Sequence, residues 1–217
     1  MERFTATTIL FFPEKFSSHP YWPEREELIN IQKASGVNRA RTEAKREQVL
    51  GEYLRRNGLT REEYQELERL AARQWYRSAS DEIIIPAHQL YGCFIESARN
   101  ISASQRPCDP DGLRHLLRIS PEWRTGKKKA DGVFKRLVMP KSGSGQPLSN
   151  QRGLRSNEYI EDFSVTGTLS WYMDDIHHAD ELPDFLGWAG QRIGVGACRK
   201  MGFGRFLVKA FDVAKGS

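Results

Sequence analysis

The chain has 217 residues, of which 39% are hydrophobic and 28% are charged, and its formal net charge is +5 at pH 7. This length suits one elaborated domain or two small ones, and the basic excess favours a polyanionic partner such as nucleic acid. The 3 cysteines stand far apart and form no cluster with histidine, which argues against a disulfide framework and against a zinc site.

The N-terminal residues predict a strand rather than a targeting segment. RFTATTILFF, residues 3–12, is rich in β-branched and aromatic side chains. An acid, Glu2, precedes it and the apolar run is short, so we expect neither a signal peptide nor a spanning helix, and a cytoplasmic location. Pro20 and Pro23 follow as breakers in a loop.

A charged helical hairpin is predicted over residues 37–77. Apolar side chains recur there at helical spacing between charged ones. Asn57-Gly58 marks the turn, and Thr60 with Glu63 supplies a capping box for the second helix. We expect this insertion to be an accessory lobe or a protein–protein contact.

A second strand leads into a helix across a proline. In IIIPAHQLYGCFIESARN, Ile83 to Ile85 predict a short buried strand, and Pro86 suits a helix start.

Residues 120–157 are then irregular and basic. We predict a strand at residues 133–138, followed by a stretch with the glycine- and serine-rich composition of a loop.

The C-terminal third predicts a strand, a helix, a glycine loop and a final strand. DFSVTGTLSWYM is the strand, and HADELPDFLGWAGQRIG is the helix, with Asp180 as its cap and Pro183 in its first turn. RIGVGACRKMGFGRFLV then spaces its glycines as GxGxxxxxGxG around a basic pair. Glycine serves where φ is positive or where another backbone approaches closely. The loop is therefore either a cradle of N–H groups for phosphate or a tightly packed start of the last strand.

This order of elements predicts an α+β fold, a ferredoxin-like domain of the RRM type. A strand, a helical insertion, a strand and a helix are followed by a strand, a helix, a loop and a strand, so that the helices return onto one sheet. We expect a single domain over residues 1–217, with the insertion at residues 37–77 and long basic loops at residues 120–157. The sheet surface and loops of such domains often bind single-stranded nucleic acid.

Two stretches, IIIPAHQLYGCFIESARN and GVGACRKMGFGRFLV, carry a family resemblance. The first resembles the hhPxsslxGxhR strand–helix junction of the RAMP superfamily, the RRM-derived RNA-binding proteins of CRISPR systems. The second resembles that superfamily's C-terminal glycine-rich loop. WAGQRIGVGACRKMGFGRF is also similar to the end of certain phage-borne proteins. The junction departs from the family pattern at His88 and Gln89, where small hydroxyl residues are usual, and at Tyr91 and Ile95, where basic residues are usual.

The resemblance implies a guide-RNA-binding (crRNA-binding) backbone subunit of a multi-subunit CRISPR-type ribonucleoprotein complex in antiviral defence. Such a subunit is non-catalytic, needs no cofactor or metal, and does not contact a membrane. Its partners are crRNA or another single-stranded nucleic acid and other subunits of the complex, including copies of itself. Together with the basic clusters, the resemblance gives an expected RNA-binding set of His88, Gln89, Lys127, Lys128, Lys129, Lys135, Arg136, Arg152, Arg155, Arg192, Gly194, Gly196, Arg199, Lys200, Gly202, Gly204 and Arg205.

Aromatic side chains could add base stacking to such an interface. The candidates for this role are Trp123, Phe134 and Tyr159, whereas Trp171 is expected in the core.

Two other functions stay open at this point. One is a repeat-cleaving, metal-independent endoribonuclease of the same superfamily, with His19 as acid–base catalyst. The other is a phage single-stranded nucleic-acid-binding protein on the same fold. His115, in the apolar run GLRHLLRI, is expected to be structural. The run containing Asp174, Asp175, His177 and His178 is interpreted as a solvated turn rather than a metal site.

Overall fold

The computed structural model describes residues 2–18, 23–138, 153–173, 175–176 and 179–215, and the backbone alone at residues 137, 138, 153–155 and 179. The chain divides into two compact units. The sheet unit comprises Met1–His19 and Trp75–Ser217, and the helical unit comprises Pro20–Gln74.

The described residues contain nine strands and six α-helices. The strands are β1 (Arg3–Phe12), β2 (Tyr76–Arg77), β3 (Ile83–Pro86), β4 (Arg118–Ile119), β5 (Glu122–Arg124), β6 (Gly132–Val138), β7 (Gly153–Tyr159), β8 (Phe163–Tyr172) and β9 (Leu207–Lys215). The helices are α1 (Pro23–Ser35), α2 (Glu43–Arg56), α3 (Arg61–Ala71), α4 (Ala87–Asn100), α5 (Leu113–Leu116) and α6 (Leu182–Arg192). Among these described helices, none combines the length and the apolar character that crossing a membrane requires.

The strands of the sheet unit form the antiparallel sheet of a ferredoxin-like domain. Within the described residues, seven strands join in the order β2-β3-β5-β8-β1-β9, with β4 also paired to β8. β1 lies between β8 and β9 and is antiparallel to both. Without the peripheral β2 and β3, the chain order is β1, α4, the short pair β4 and β5, β8, α6 and β9, which is a β-α-β-β-α-β arrangement. The α+β, ferredoxin-like prediction is confirmed.

One face of this sheet packs against α4 and α6. In β1, Thr8 is buried and residues 7, 9 and 11 are partly or fully exposed, as alternation along a half-buried strand requires. The apolar side chains of Ala6, Leu10 and Phe12 are fully buried. These side chains share one core with residues of both helices. Phe94 of α4 and Phe185 of α6 meet in that core, with their ring centroids 6.3 Å apart. The two helices are thereby fixed side by side, and α4 begins directly after β3.

Trp123 of β5 lies inside the core, so the prediction that it stacks on bases is wrong. Its side chain is fully buried. Gly167 of β8 makes room for the indole, because a Cβ atom there would collide with the ring. Trp171 is buried as predicted.

β6 and β7 form a separate two-stranded ribbon. They pair in antiparallel register from Gly132 opposite Tyr159 to Val138 opposite Gly153. The strand predicted at residues 133–138 is confirmed.

The helical unit has a small core of its own. The side chains that form it come from all three helices of the unit: Ile31, Leu50, Leu54, Tyr64 and Leu67. The predicted hairpin is confirmed as α2 and α3, with the turn at Asn57-Gly58 between them. α1 lies ahead of the insertion predicted at residues 37–77 and was not predicted.

Two helices begin differently from the prediction. Pro23, interpreted as a breaker, is the first residue of α1, where a missing N–H sacrifices no helical hydrogen bond. Asp180 is not the cap of α6, because it lies in the preceding turn of 3-10 helix, Ala179–Glu181. The cap position belongs to Glu181, whose side chain makes no capping hydrogen bond.

The capping box of α3 predicts a measurable stability effect. Thr60 Oγ1 accepts from the Glu63 N–H at 3.1 Å, and the Glu63 carboxylate accepts from the Thr60 N–H at 2.8 Å. Thr60→Ala is therefore expected to lower the free energy of unfolding of the helical unit by about 1 kcal/mol in urea titrations followed by circular dichroism. Thr60→Ser keeps the acceptor oxygen and should lie close to wild type.

The same box predicts a pH dependence. The hydrogen bonds from Thr60 lower the pKa of the Glu63 carboxyl. A lowered folded-state pKa gives stability that is present at neutral pH and is lost as the pH falls through that pKa. The stability difference between wild type and Thr60→Ala should thus shrink in acid, and a difference that stays constant would contradict the role of the Glu63 carboxylate.

Candidate nucleic-acid interface

The glycine loop, residues 194–204, connects α6 to β9 through a left-handed backbone. The φ angles are +74°, +81°, +87° and +73° at Gly194, Gly196, Gly202 and Gly204. Residues with a Cβ atom adopt this region at a cost of about 1–2 kcal/mol, which explains the choice of glycine. Arg199–Met201 form one turn of 3-10 helix at the tip of the loop.

The two arms of the glycine loop pack against each other and against the segment after β1. The Val195 N–H donates to the Gly204 carbonyl at 2.9 Å, and the Gly204 N–H donates to the Lys15 carbonyl at 2.8 Å. The Ala197 N–H donates to the Ser17 carbonyl at 2.7 Å. These amides are used within the protein, so they cannot form a phosphate cradle. The tight-packing interpretation of the glycines describes these contacts.

A pocket of about 380 Å³ lies between the glycine loop and the first turns of α4. Its lining residues are Gln89, Gly92, Cys93, Glu96, Gly194, Gly196 and Arg199. The Gln89 amide nitrogen donates to Ser18 Oγ at 2.9 Å, which ties α4 to the end of the segment after β1. Gln89 Oε1 has no hydrogen-bond partner among the residues that the structure describes. The pocket therefore joins the two stretches on which the RAMP resemblance rests.

His88 precedes Gln89 at the start of α4 and is not among the residues that line the pocket. It is exposed at the start of α4, and its ring meets Tyr76 edge to face at 5.2 Å. Partial burial lowers the pKa of His88, and repulsion from the Arg114 guanidinium lowers it further. At pH 7 the imidazole is therefore predominantly neutral and offers one hydrogen-bond donor and one acceptor.

Arg199 faces the pocket with its charge paired. Its Nη1 lies 2.6 Å from Glu96 Oε2, and the two side chains are 36% and 47% exposed. Sequence reasoning missed Glu96. The available signal was its spacing, because Glu96 follows Gln89 by two helical turns and so lies on the same face of α4.

The Glu96–Arg199 pair predicts that the Glu96→Gln variant binds single-stranded RNA more tightly than the wild type. Glu96→Gln removes a carboxylate that repels phosphate and releases the Arg199 guanidinium. Since an exposed ion pair contributes up to about 1 kcal/mol, binding of a fluorescent single-stranded RNA should tighten about two- to fivefold, as measured by anisotropy at fixed low salt. The matched control is Asp111→Asn, which removes the carboxylate of the Arg99–Asp111 pair outside the pocket. Unchanged affinity in Glu96→Gln would show that Arg199 does not meet RNA.

The β6–β7 ribbon packs beside the glycine loop. The rings of Phe134 and Phe203 lie 5.2 Å apart between centroids, and Arg136 Nη1 lies 3.9 Å from Met201 Sδ. Lys135 is exposed on the opposite face of the ribbon, because successive side chains alternate along a strand, and Lys200 is exposed next to Met201. The structure thus brings Arg136 of the ribbon beside the glycine loop that carries Lys200.

Arg192 and Arg205 flank the glycine loop. Arg192 is exposed in the last turn of α6. Arg205 is half-buried just before β9, and its Nη1 has no hydrogen-bond partner among the described residues. Both arginines therefore belong to the segment that carries the loop.

The lysines of the GKKK run belong to a different part of the sheet unit. Lys127 Nζ contacts Asp131 Oδ2 at 2.5 Å and the Glu161 carbonyl at 2.7 Å, so it is held by internal bonds. Lys128 and Lys129 are exposed in the same connection before β6. Within the described residues, no hydrogen bond or ion pair joins these three lysines to the glycine loop.

Several sequence-based candidates lie outside the described residues. They are His19, Arg152, Asp174, His177 and His178, together with the side chain of Arg155. His115, interpreted as structural, is exposed. Phe134 and Tyr159 are half-buried on the ribbon, and Lys15 Nζ lies 4.3 Å from the Tyr159 ring centroid.

Comparison with known proteins supports the fold. No protein-family model matches the sequence, and no curated protein matches it. Among solved structures, the chain is similar to a chain in the cryo-EM structure of the Type III-B Cmr-beta bound to cognate target RNA, with a TM-score of 0.51 and 9% identity. The match covers 100% of this chain and 62% of that chain, so this chain spans less than two thirds of the length of the protein it resembles. At this identity the likeness concerns the fold.

Proposed function

We propose that this protein is a guide-RNA-binding backbone subunit of a multi-subunit CRISPR-type ribonucleoprotein complex, and that it binds RNA without cleaving it. The glycine loop, the start of α4 and the β6–β7 ribbon form its RNA interface. Other subunits, including copies of this chain, are its protein partners.

One observation carries the proposal: α4 and the β6–β7 ribbon, which are distant in the sequence, both contact the glycine loop. The pocket joins α4 to the glycine loop, and the contact of Phe134 with Phe203 joins the ribbon to the same loop. Both motifs of the RAMP resemblance and part of the basic cluster therefore meet. The similar protein belongs to a structure described as bound to cognate target RNA, which supports a nucleic-acid role on this fold.

The chemistry of this surface suits phosphate rather than base recognition. Apart from Glu96, which pairs with Arg199, the charged groups named at this surface are lysines and arginines, which bind phosphates and fix the register of a strand without reading its sequence. Gln89 and His88 add neutral hydrogen-bonding groups for a ribose or a base edge. A subunit that holds guides of different sequence must bind their phosphates without requiring a particular base sequence.

The test compares an RNA strand with a DNA strand of the same sequence. We expect tighter binding of RNA, since the 2′-OH distinguishes the two, and recovery of the RNA intact. Equal affinity for DNA would favour the phage single-stranded nucleic-acid-binding protein. Cleavage of the RNA, lost in His19→Ala, would favour the endoribonuclease.

A further inference from the structure

The helical unit carries an apolar groove between α1 and α3. The groove has a volume of about 550 Å³, and its apolar lining consists of Ile31, Leu59, Tyr64, Leu67 and Leu70. Ile31, Tyr64 and Leu67 are buried and form part of the core of the unit. Leu59 and Leu70 are half-exposed. An apolar partner would therefore cover two leucines that now meet water.

The rim of the groove is acidic. It carries the five glutamates Glu24, Glu27, Glu62, Glu63 and Glu66. Glu63 is used in the capping box, and Glu66 pairs with Arg69 at 2.6 Å. For Glu24, Glu27 and Glu62, the described part of the chain offers no ion pair or hydrogen bond.

Helix dipoles account for only part of this charge. Glu24 and Glu62 lie in the first turns of α1 and α3, where a carboxylate is favourable. Glu27 lies beyond the first turn of α1, so the dipole does not explain it. The remaining carboxylates surround an apolar floor and repel phosphate, which excludes RNA as the occupant.

We propose that this groove binds a basic amphipathic helix of a partner protein. Apolar side chains of that helix would cover Leu59 and Leu70, and lysines or arginines on its flanks would pair with Glu24, Glu27 and Glu62. Helix-in-groove binding of this kind reads apolar anchors at i, i+3, i+4 and i+7. The 11 residues of α3 span about 16 Å, which is enough to lie along three turns of a partner helix. The site goes beyond the proposed RNA-binding function and does not depend on it.

The probe is a synthetic peptide of leucine and lysine with leucines at amphipathic helical spacing, titrated against the full chain freed of nucleic acid. A second peptide has the same composition in scrambled order. We expect the amphipathic peptide to bind more tightly than the scrambled one. The triple variant Glu24→Gln, Glu27→Gln and Glu62→Gln should weaken its binding about tenfold, from three exposed charge pairs. The matched triple variant Glu43→Gln, Glu52→Gln and Asp212→Asn changes three exposed acids away from the groove and should not weaken it.

A second variant tests the apolar part of the groove. Leu70→Ala removes a half-exposed apolar side chain and should weaken peptide binding by the same factor at low and high salt. Circular dichroism should show that the helices are retained. Absence of peptide binding, equal binding of the two peptides, or equal loss in the two triple variants would overturn the proposal. RNA affinity is measured on the same variants, so failure of the groove is separable from failure of the RNA interface.

Discussion

Gly204→Ala is expected to lower the free energy of unfolding of the sheet unit by about 4 kcal/mol or more, which is the range of a disrupted core. Gly204 has a φ of +73°, and a Cβ atom there would collide with the Val195 carbonyl oxygen. The backbone cannot move away easily, because the Gly204 N–H and carbonyl bond to Lys15 and Val195. Denaturant titrations followed by tryptophan fluorescence measure the effect.

Gly202→Ala is the matched control within the same loop. Its φ of +87° carries the same left-handed strain, but the nearest atom to a new Cβ is Glu14 Oε2 at 3.6 Å. Only the conformational cost of about 1–2 kcal/mol is expected. If both variants lost the same stability, the close contact between the two arms of the loop would not be the reason for Gly204.

Neutralising the basic surface is expected to weaken RNA binding about 10²- to 10³-fold. The variant changes Arg136, Arg192, Arg199 and Lys200 to glutamine. Each phosphate contact on a single strand contributes about 0.7 to the slope of log affinity against log salt. At roughly 0.1 M salt, the loss of one contact therefore lowers the affinity about fivefold. Four contacts therefore predict a slope that is lower by about 3. Anisotropy titrations over a series of salt concentrations give both quantities.

The control removes the same charge from the helical unit. Lys33, Lys45, Arg55 and Arg56 are exposed there, and their replacement by glutamine changes the net charge by the same amount. We expect a small, salt-screened loss of affinity. An equal loss in both variants would show that RNA responds to net charge rather than to the surface around the glycine loop.

The elements of the fold could be predicted because their signals are local. β-Branched runs, the Asn57-Gly58 turn and the capping box at Thr60 each determine structure through neighbours in the chain. The element order then restricts the topology to one sheet with two returning helices. α1 escaped prediction because Pro23 can break a helix or begin one, and only packing decides between these uses.

The site was harder to predict because its contacts are distant in sequence. The glycines alone do not reveal whether the loop amides face a ligand or the protein. That depends on Lys15 and Ser17 in the segment after β1, because their carbonyls accept hydrogen bonds from the Gly204 and Ala197 N–H groups of the loop. Trp123 was misplaced for the same reason, since the space for its ring is made by Gly167 of another strand.

Charge alone also fails to separate structural lysines from exposed ones. Lys127 and Lys128 are neighbours in one basic run, yet Asp131 and the Glu161 carbonyl hold only Lys127. Glu96 was overlooked because a single acid on a helix has no distinctive signature until Arg199 is placed beside it.

The most direct test of a guide-RNA-binding backbone subunit is size-exclusion chromatography of the purified protein with its absorbance ratio, before and after RNase, at low and high salt. The proposal predicts a large assembly that contains RNA and collapses on RNase treatment. Sequencing of the RNA it releases would then identify the guide. A monomer free of nucleic acid at low salt would contradict it.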